Sequence, residues 1–146
     1  MNLSTDVKIV RVKNGVVAGT SAQACTTVDT QGYDGCLFLA ALGALTANQV
    51  TSLSVAEGTD SGGSGAADLL GSKAGPLADG DGNKCLVVDV FRPAKRYLTA
   101  TVNRATANAV IDGVWAILYR GRNKPAAVDA SVAFTKTLAS PAEGTA

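Results

Sequence analysis

The sequence predicts an all-β fold: a single-domain β-sandwich, jelly-roll-like or Greek-key, of about seven or eight short strands with extended terminal arms. Three observations lead there. Apolar or alternating segments of strand length recur along the chain, Gly-rich polar stretches separate them, and 146 residues fit one domain. A chain of that size buries roughly 70% of its unfolded surface, so it needs no staple to fold. The expected sandwich spans residues 1–124, and residues 125–146 form a C-terminal arm or tail. Hydrophobic residues make up 47% of the chain but aromatics only 5%, so the core must be assembled mainly from Ala, Val and Leu.

The first strand is read at residues 6–12, where Val7 and Ile9 alternate with charges before the apolar set switches to Val10 and Val12. Such a switch predicts a bulge or a strand covered on both sides. Asn14-Gly15 supplies a turn. Residues 24–30 are rich in Thr and Val and end in the loop chemistry of Gln31-Gly32-Tyr33-Asp34-Gly35. Residues 36–42 are a continuous apolar run, the mark of a strand buried on both faces. The Ala-rich residues 39–47 also carry helical propensity, opposed by Gly43 and Thr46. In residues 50–57, Leu53 and Val55 alternate with Ser52 and Ser54 as in a half-exposed strand. Residues 58–65 form a flexible excursion, residues 66–70 one helical turn, and Asp79-Gly80-Asp81-Gly82-Asn83 closes the irregular middle.

The β signal is strongest at residues 84–91, 97–104 and 109–119. The separators, residues 92–96 and 105–108, are short enough for hairpins or tight arches. After Pro125 the apolar residues thin out to Val128, Val132, Phe134 and Leu138, too few for a core. Residues 125–146 are therefore either a disordered tail or an arm ordered by another subunit, and residues 1–6 are a second candidate arm.

Composition excludes several functions. The 13 basic and 12 acidic residues leave no net field for nucleic acid or anionic membrane. No run of about 18 apolar residues could span a bilayer. The N-terminus lacks the order of a signal peptide, which predicts a product that stays in the cytosol or leaves by lysis. Cys25, Cys36 and Cys85 are an odd set next to apolar neighbours and read as buried free thiols, with a Cys25 to Cys36 link as the alternative.

The chain has no histidine, which removes Ser-His-Asp and Cys-His catalysis together. The expectation is a protein that is not an enzyme and carries no cofactor and no metal. Residues 79–83 have the alternate oxygens of a calcium loop, but Lys84 stands where the Gly is required and Val90 where the bidentate Glu is required, so a polar turn is favoured. Residues 58–65 and Gly71-Ser72-Lys73 lack the spacing of a P-loop and read as solvent loops.

Residues 92–124 hold seven basic side chains, Arg104 among them, against the single acid Asp112. Two segments join a strand end to a basic loop beside an aromatic, and they supply the candidate partner-binding residues. These are Arg92, Lys95, Arg96 and Tyr97 in the first, and Arg120, Arg122 and Lys124 in the second. If both loops lie at one end of the sandwich, they form a patch for an acidic protein surface or phosphates; if not, they are solvated turns. Nucleic-acid binding is disfavoured because stacking aromatics are scarce. Trp115 is read as core, as are most of the other aromatics.

Tyr33-Asp34-Gly35, residues 81–90, residues 92–98 and residues 107–113 together resemble small virion proteins encoded in the head-gene region of tailed bacteriophages. The resemblance covers most of residues 5–124 and is one of texture and segment order. It implies a head decoration or cement protein that binds the outside of the capsid, clamps neighbouring major capsid subunits and self-associates, as a trimer in preference to a dimer. It further implies synthesis in the host cytoplasm and residence on the capsid surface, without membrane contact. The alternatives are a head-tail joining or tail-associated component, and a β-sandwich carbohydrate-binding module.

Overall fold

In the computed structural model, which describes residues 2–140 and 142–145, the chain is almost wholly β. Met1, Pro141 and Ala146, which belong to the two expected arms, lie outside the described residues. One antiparallel sheet contains β1 (Lys8–Lys13), β2 (Val16–Gly19), β5 (Gly35–Leu45), β8 (Cys85–Phe91) and β10 (Ala109–Tyr119). The other contains β3 (Gln23–Ala24), β4 (Val28–Asp29), β6 (Val50–Gly58), β7 (Ala67–Asp68) and β9 (Tyr97–Ala105).

β1 and β2 follow one another along the same strand, β10, and β3 and β4 do the same along β9. Each pair therefore fills one edge position, and the ten strands occupy eight positions. Numbered along the chain, these positions are ordered 1-8-3-6 in the first sheet and 2-7-4-5 in the second. This is the jelly-roll order, two Greek keys wound into a double sheet. The connections at residues 92–96 and 106–108 are thus arches between the sheets, not hairpins within one.

The core lies between the sheets and follows the two-residue period of the strands. On β9, Leu98, Ala100 and Val102 are fully buried while Tyr97, Thr99, Thr101 and Asn103 face outward. Phe38, Leu42, Ile111 and Leu118 face them from the first sheet and Leu53 lies beside them on β6, all among the largest fully buried side chains.

Several expectations are corrected. Residues 39–45 continue β5 and form no helix, because β8 and β10 pair with the strand from both sides and outweigh a small propensity. Residues 67–68 pair with Ala56 and Glu57 as β7, not as a helical turn. The register shift in β1 falls between Arg11 and Lys13, three residues later than the pattern suggested. Val7 closes a helical turn at Leu3–Asp6 and is not part of the strand, which is why the alternation broke.

Part of the C-terminal segment lies against its own domain. Ala126 N donates to Thr5 O at 2.8 Å, Lys8 pairs with Asp129 at 3.1 Å, and Arg11 N donates to Ser131 Oγ at 2.9 Å. Residues 126–131 therefore run alongside residues 5–11, from the helical turn onto the outer edge of β1 of their own domain. Covering an edge this way occupies backbone groups that would otherwise pair with another chain.

The outer face of the first sheet is largely apolar. One cross-strand row reads Val87, Leu39, Trp115 and Arg11, with the Arg11 guanidinium 5.5 Å from the centre of the Trp115 ring. The next reads Asp89, Leu37, Ile117 and Ile9. Trp115 is thus half-buried on an outer face and not part of the core. Cys85 also points outward and is exposed, because Leu86 takes the inward position; Cys25 and Cys36 are buried, and all three thiols are free.

Candidate functional site

Three loops meet at one end of the jelly-roll: residues 30–34 before β5, residues 92–96 between β8 and β9, and residues 120–124 after β10. Backbone hydrogen bonds lace them together. Arg92 N donates to Asp34 O at 2.7 Å, Arg122 N to Gly32 O at 2.8 Å, and Thr30 N to Arg96 O at 2.9 Å. The two basic loops thus share one end of the sandwich, joined through a third loop that the sequence marked only as a turn.

Between the loops lies an open depression of about 610 Å³. Arg92, Lys95, Arg96 and Arg122 line it, with Tyr33 and the single acid Asp34. Arg92 leaves β8 in the left-handed region, at φ 51°, and its guanidinium lies 5.0 Å from the centre of the Phe91 ring. Glu57 accepts from the backbone N–H groups of Ala94 and Lys95 at 3.1 and 3.2 Å, fixing the loop while leaving the Lys95 ammonium free. Among the described residues Arg92, Lys95 and Arg122 make no ion pair.

Other predicted residues have different duties. Arg96 forms a fork with Asp29, at 2.8 Å from Nε and 2.7 Å from Nη2, and stacks 5.1 Å over the Tyr97 ring. The bidentate bond holds the Asp29 carboxyl below its ordinary range and raises Arg96. Tyr97 is the platform under that guanidinium and does not line the depression. Arg120, left-handed at φ 54°, pairs with Asp34 at 3.4 Å. Lys124 reaches away to Asp6 at 2.7 Å and pins the N-terminal turn. Arg104 lies at the opposite end of β9 and is buried.

The expectation that most aromatics are buried is corrected: among the described residues only Phe38 is. Tyr33 was not singled out as a site residue, although it belongs to one of the segments quoted for the resemblance. In residues 79–83 the carboxylates are spent on backbone N–H groups and on Lys84. Asp79 accepts from Asn48 N at 2.9 Å, and Asp81 accepts from Ala78 N at 3.0 Å and pairs with Lys84 at 2.6 Å.

Chemically, the depression offers three unpaired cations in water beside a half-buried tyrosine. Guanidinium forks suit carboxylates and phosphates, and each exposed pair contributes about 0.2–1 kcal/mol. Screening over about 10 Å makes such binding salt-sensitive. In comparisons with known proteins, no family model and no curated sequence matches this chain.

Proposed function

We propose that the protein is a virion structural component that decorates a bacteriophage capsid, binding the outer surface of the shell and bridging neighbouring major capsid subunits. The observation that carries this reading is the convergence of Arg92, Lys95 and Arg122, free of ion pairs, around one depression at the end of a jelly-roll. That end presents a cationic contact surface to acidic elements of a shell. The phage-like segments at residues 33–35 and 92–98 contribute to the same end and support the reading. Jelly-rolls serve in viral coats and in lectins, so the fold alone does not choose the function.

The mechanism is linkage. A protein that binds the assembled shell but not its free subunits stabilises the shell by its own binding free energy. Contacts of modest strength suffice when they are repeated over a lattice and joined through self-association. Synthesis takes place in the host cytoplasm, and the working location is the capsid surface.

The test is stoichiometry and location in purified particles, together with binding of the purified chain to undecorated capsids. Hundreds of copies on the outer surface are expected. A few copies at the tail junction would replace this reading with that of a joining component, and retention on a glycan array with no capsid binding would replace it with that of a carbohydrate-binding module.

A further inference from the structure

We propose that the outer face of the first sheet is a self-association surface, on which a second copy of this chain packs face to face about a twofold axis running along the strands. The inference goes beyond the shell-binding reading and rests on a different part of the molecule from the basic depression.

The two sheets have unlike outer faces. On the second, the outward residues are the polar Thr99, Thr101 and Asn103 beside Ser54; Asn103 donates to Ser54 Oγ at 2.9 Å and the Thr99 hydroxyl shares a bond of 2.8 Å with that of Thr27. On the first, Ile9, Val87 and Phe91 remain 44, 47 and 51% exposed around the half-buried Leu39 and Ile117. Contiguous apolar surface of this kind marks an interaction site. Two glycines leave room for aromatic rings to lie along this face. A Cβ on Gly113 would come within 2.9 Å of the Trp115 ring, and one on Gly35 would collide with the Tyr119 ring. Sheet faces pack on one another at about 10 Å.

The charges on the face select the occupant. Its two middle rows hold one cation, Arg11 on β1, and one anion, Asp89 on β8, at opposite margins. Neither makes an ion pair among the described residues; Asp89 accepts only the Tyr119 hydroxyl, at 2.7 Å. Asp112, a further acid on this side, lies in the register shift between Ile111 and Gly113 near the start of β10, beyond the two rows. A twofold axis along the strands lays the β1 margin of one copy over the β8 margin of the other. Arg11 then comes within one row of the partner copy's Asp89, a step of about 7 Å along the strand that its long side chain spans. An axis across the strands lays each margin over the same margin of the other copy, so that Arg11 approaches Arg11 and Asp89 approaches Asp89 with no opposite charge near either. The face is therefore complementary to itself in one orientation, as a closed twofold pair requires.

Four strands about 4.8 Å apart and six or seven residues long give a footprint on the order of 500 Å² a side. That is below the roughly 800 Å² of a standard interface, so the isolated pair is expected in the micromolar range. On a lattice, neighbouring sites raise the effective concentration of the second copy.

Sedimentation equilibrium of the full chain, run from micromolar to millimolar concentration, tests the proposal. The mass is expected to rise from 14.7 kDa to twice that value and stop there. Leu39→Lys, at the centre of the face, is expected to hold the chain monomeric with an unchanged thermal melt; should it not fold, Ile117→Gln serves instead. Arg11→Asp and Asp89→Arg are each expected to weaken association roughly tenfold, and the double swap to restore it. A chain that stays monomeric, a larger closed oligomer, a dimer indifferent to both centre-face variants, or a double swap without rescue overturns the proposal. Each readout is independent of capsid binding, so failure here and failure of the shell-binding reading are separate results.

Discussion

Arg104 donates from Nη1 to the carbonyl oxygen of Ala109 at 2.7 Å, across the arch between β9 and β10, while only 5% exposed. The same guanidinium donates to Val17 O at 3.0 Å and Ser21 O at 2.9 Å, and among the described residues no carboxylate pairs with it. Carbonyl dipoles alone solvate this buried cation and tie β2 and the turn after it to the start of β10. Gly19 leaves the space, since a Cβ there would sit 3.2 Å from Nη2. Arg104→Met is expected to lower unfolding free energy by about 3 kcal/mol, near 1 kcal/mol for each carbonyl left unpaired. Arg104→Lys should recover little, because an ammonium cannot span the three acceptors as a planar fork does. Urea unfolding measures both, and a loss under about 1 kcal/mol for Arg104→Met would count against this account.

Thiol chemistry separates the three cysteines. Burial pushes the Cys25 thiol up to about 11 and that of Cys36 up to about 12, so neither forms appreciable thiolate at neutral pH, and Cys85 is exposed. A chromogenic disulfide reagent should titrate one thiol in the native chain and three in denaturant. Cys85→Ser should bring the native count to zero; a remaining fast-reacting thiol would contradict the packing around Cys25 or Cys36.

Acid should loosen the terminal segments first. The hydrogen bond from Lys124 holds the Asp6 carboxyl below its ordinary 3.8. A depressed folded-state pKa contributes stability above the unfolded value, and that contribution is lost as pH falls through the folded value. Melts between pH 7 and pH 3 should therefore show a larger loss for wild type than for Asp6→Asn, which starts lower. Parallel curves would remove the ion pair from the account.

Charge reversal tests the depression without touching the fold. Arg92→Glu with Arg122→Glu should abolish partner binding and leave the thermal melt within error, since among the described residues neither side chain makes an ion pair and both are exposed. Lys124→Glu should do the reverse, disturbing the Asp6 contact while sparing binding. Raising salt should weaken wild-type binding steadily.

The sandwich was legible because β6 and β9 carry their burial in alternation, Leu53 and Val55 in the first and Leu98, Ala100 and Val102 in the second. It was least legible on the first sheet, where Val87, Leu39 and Trp115 are apolar on the outward side too, so a continuous apolar run looked like burial on both faces. The basic site was half legible. Arg122 and Lys124 are two residues apart and alike in sequence, yet one lines the depression and the other is drawn off by Asp6, whose proximity only the fold creates. Arg104 looked like the other cations because its partners are backbone oxygens, which carry no side-chain signature.

The pairing of β1 with β10 has a consequence for biosynthesis. Lys8 and Ile9 find their partners only at Leu118 and Ile117, so the first strand emerges from the ribosome over a hundred residues before its neighbour exists. At about 5–20 residues per second that interval lasts roughly 5–20 s. During it the nascent strand is protected by its own sequence: Lys8, Arg11 and Lys13 interrupt the apolar positions and keep the waiting segment from templating a sheet with another nascent chain.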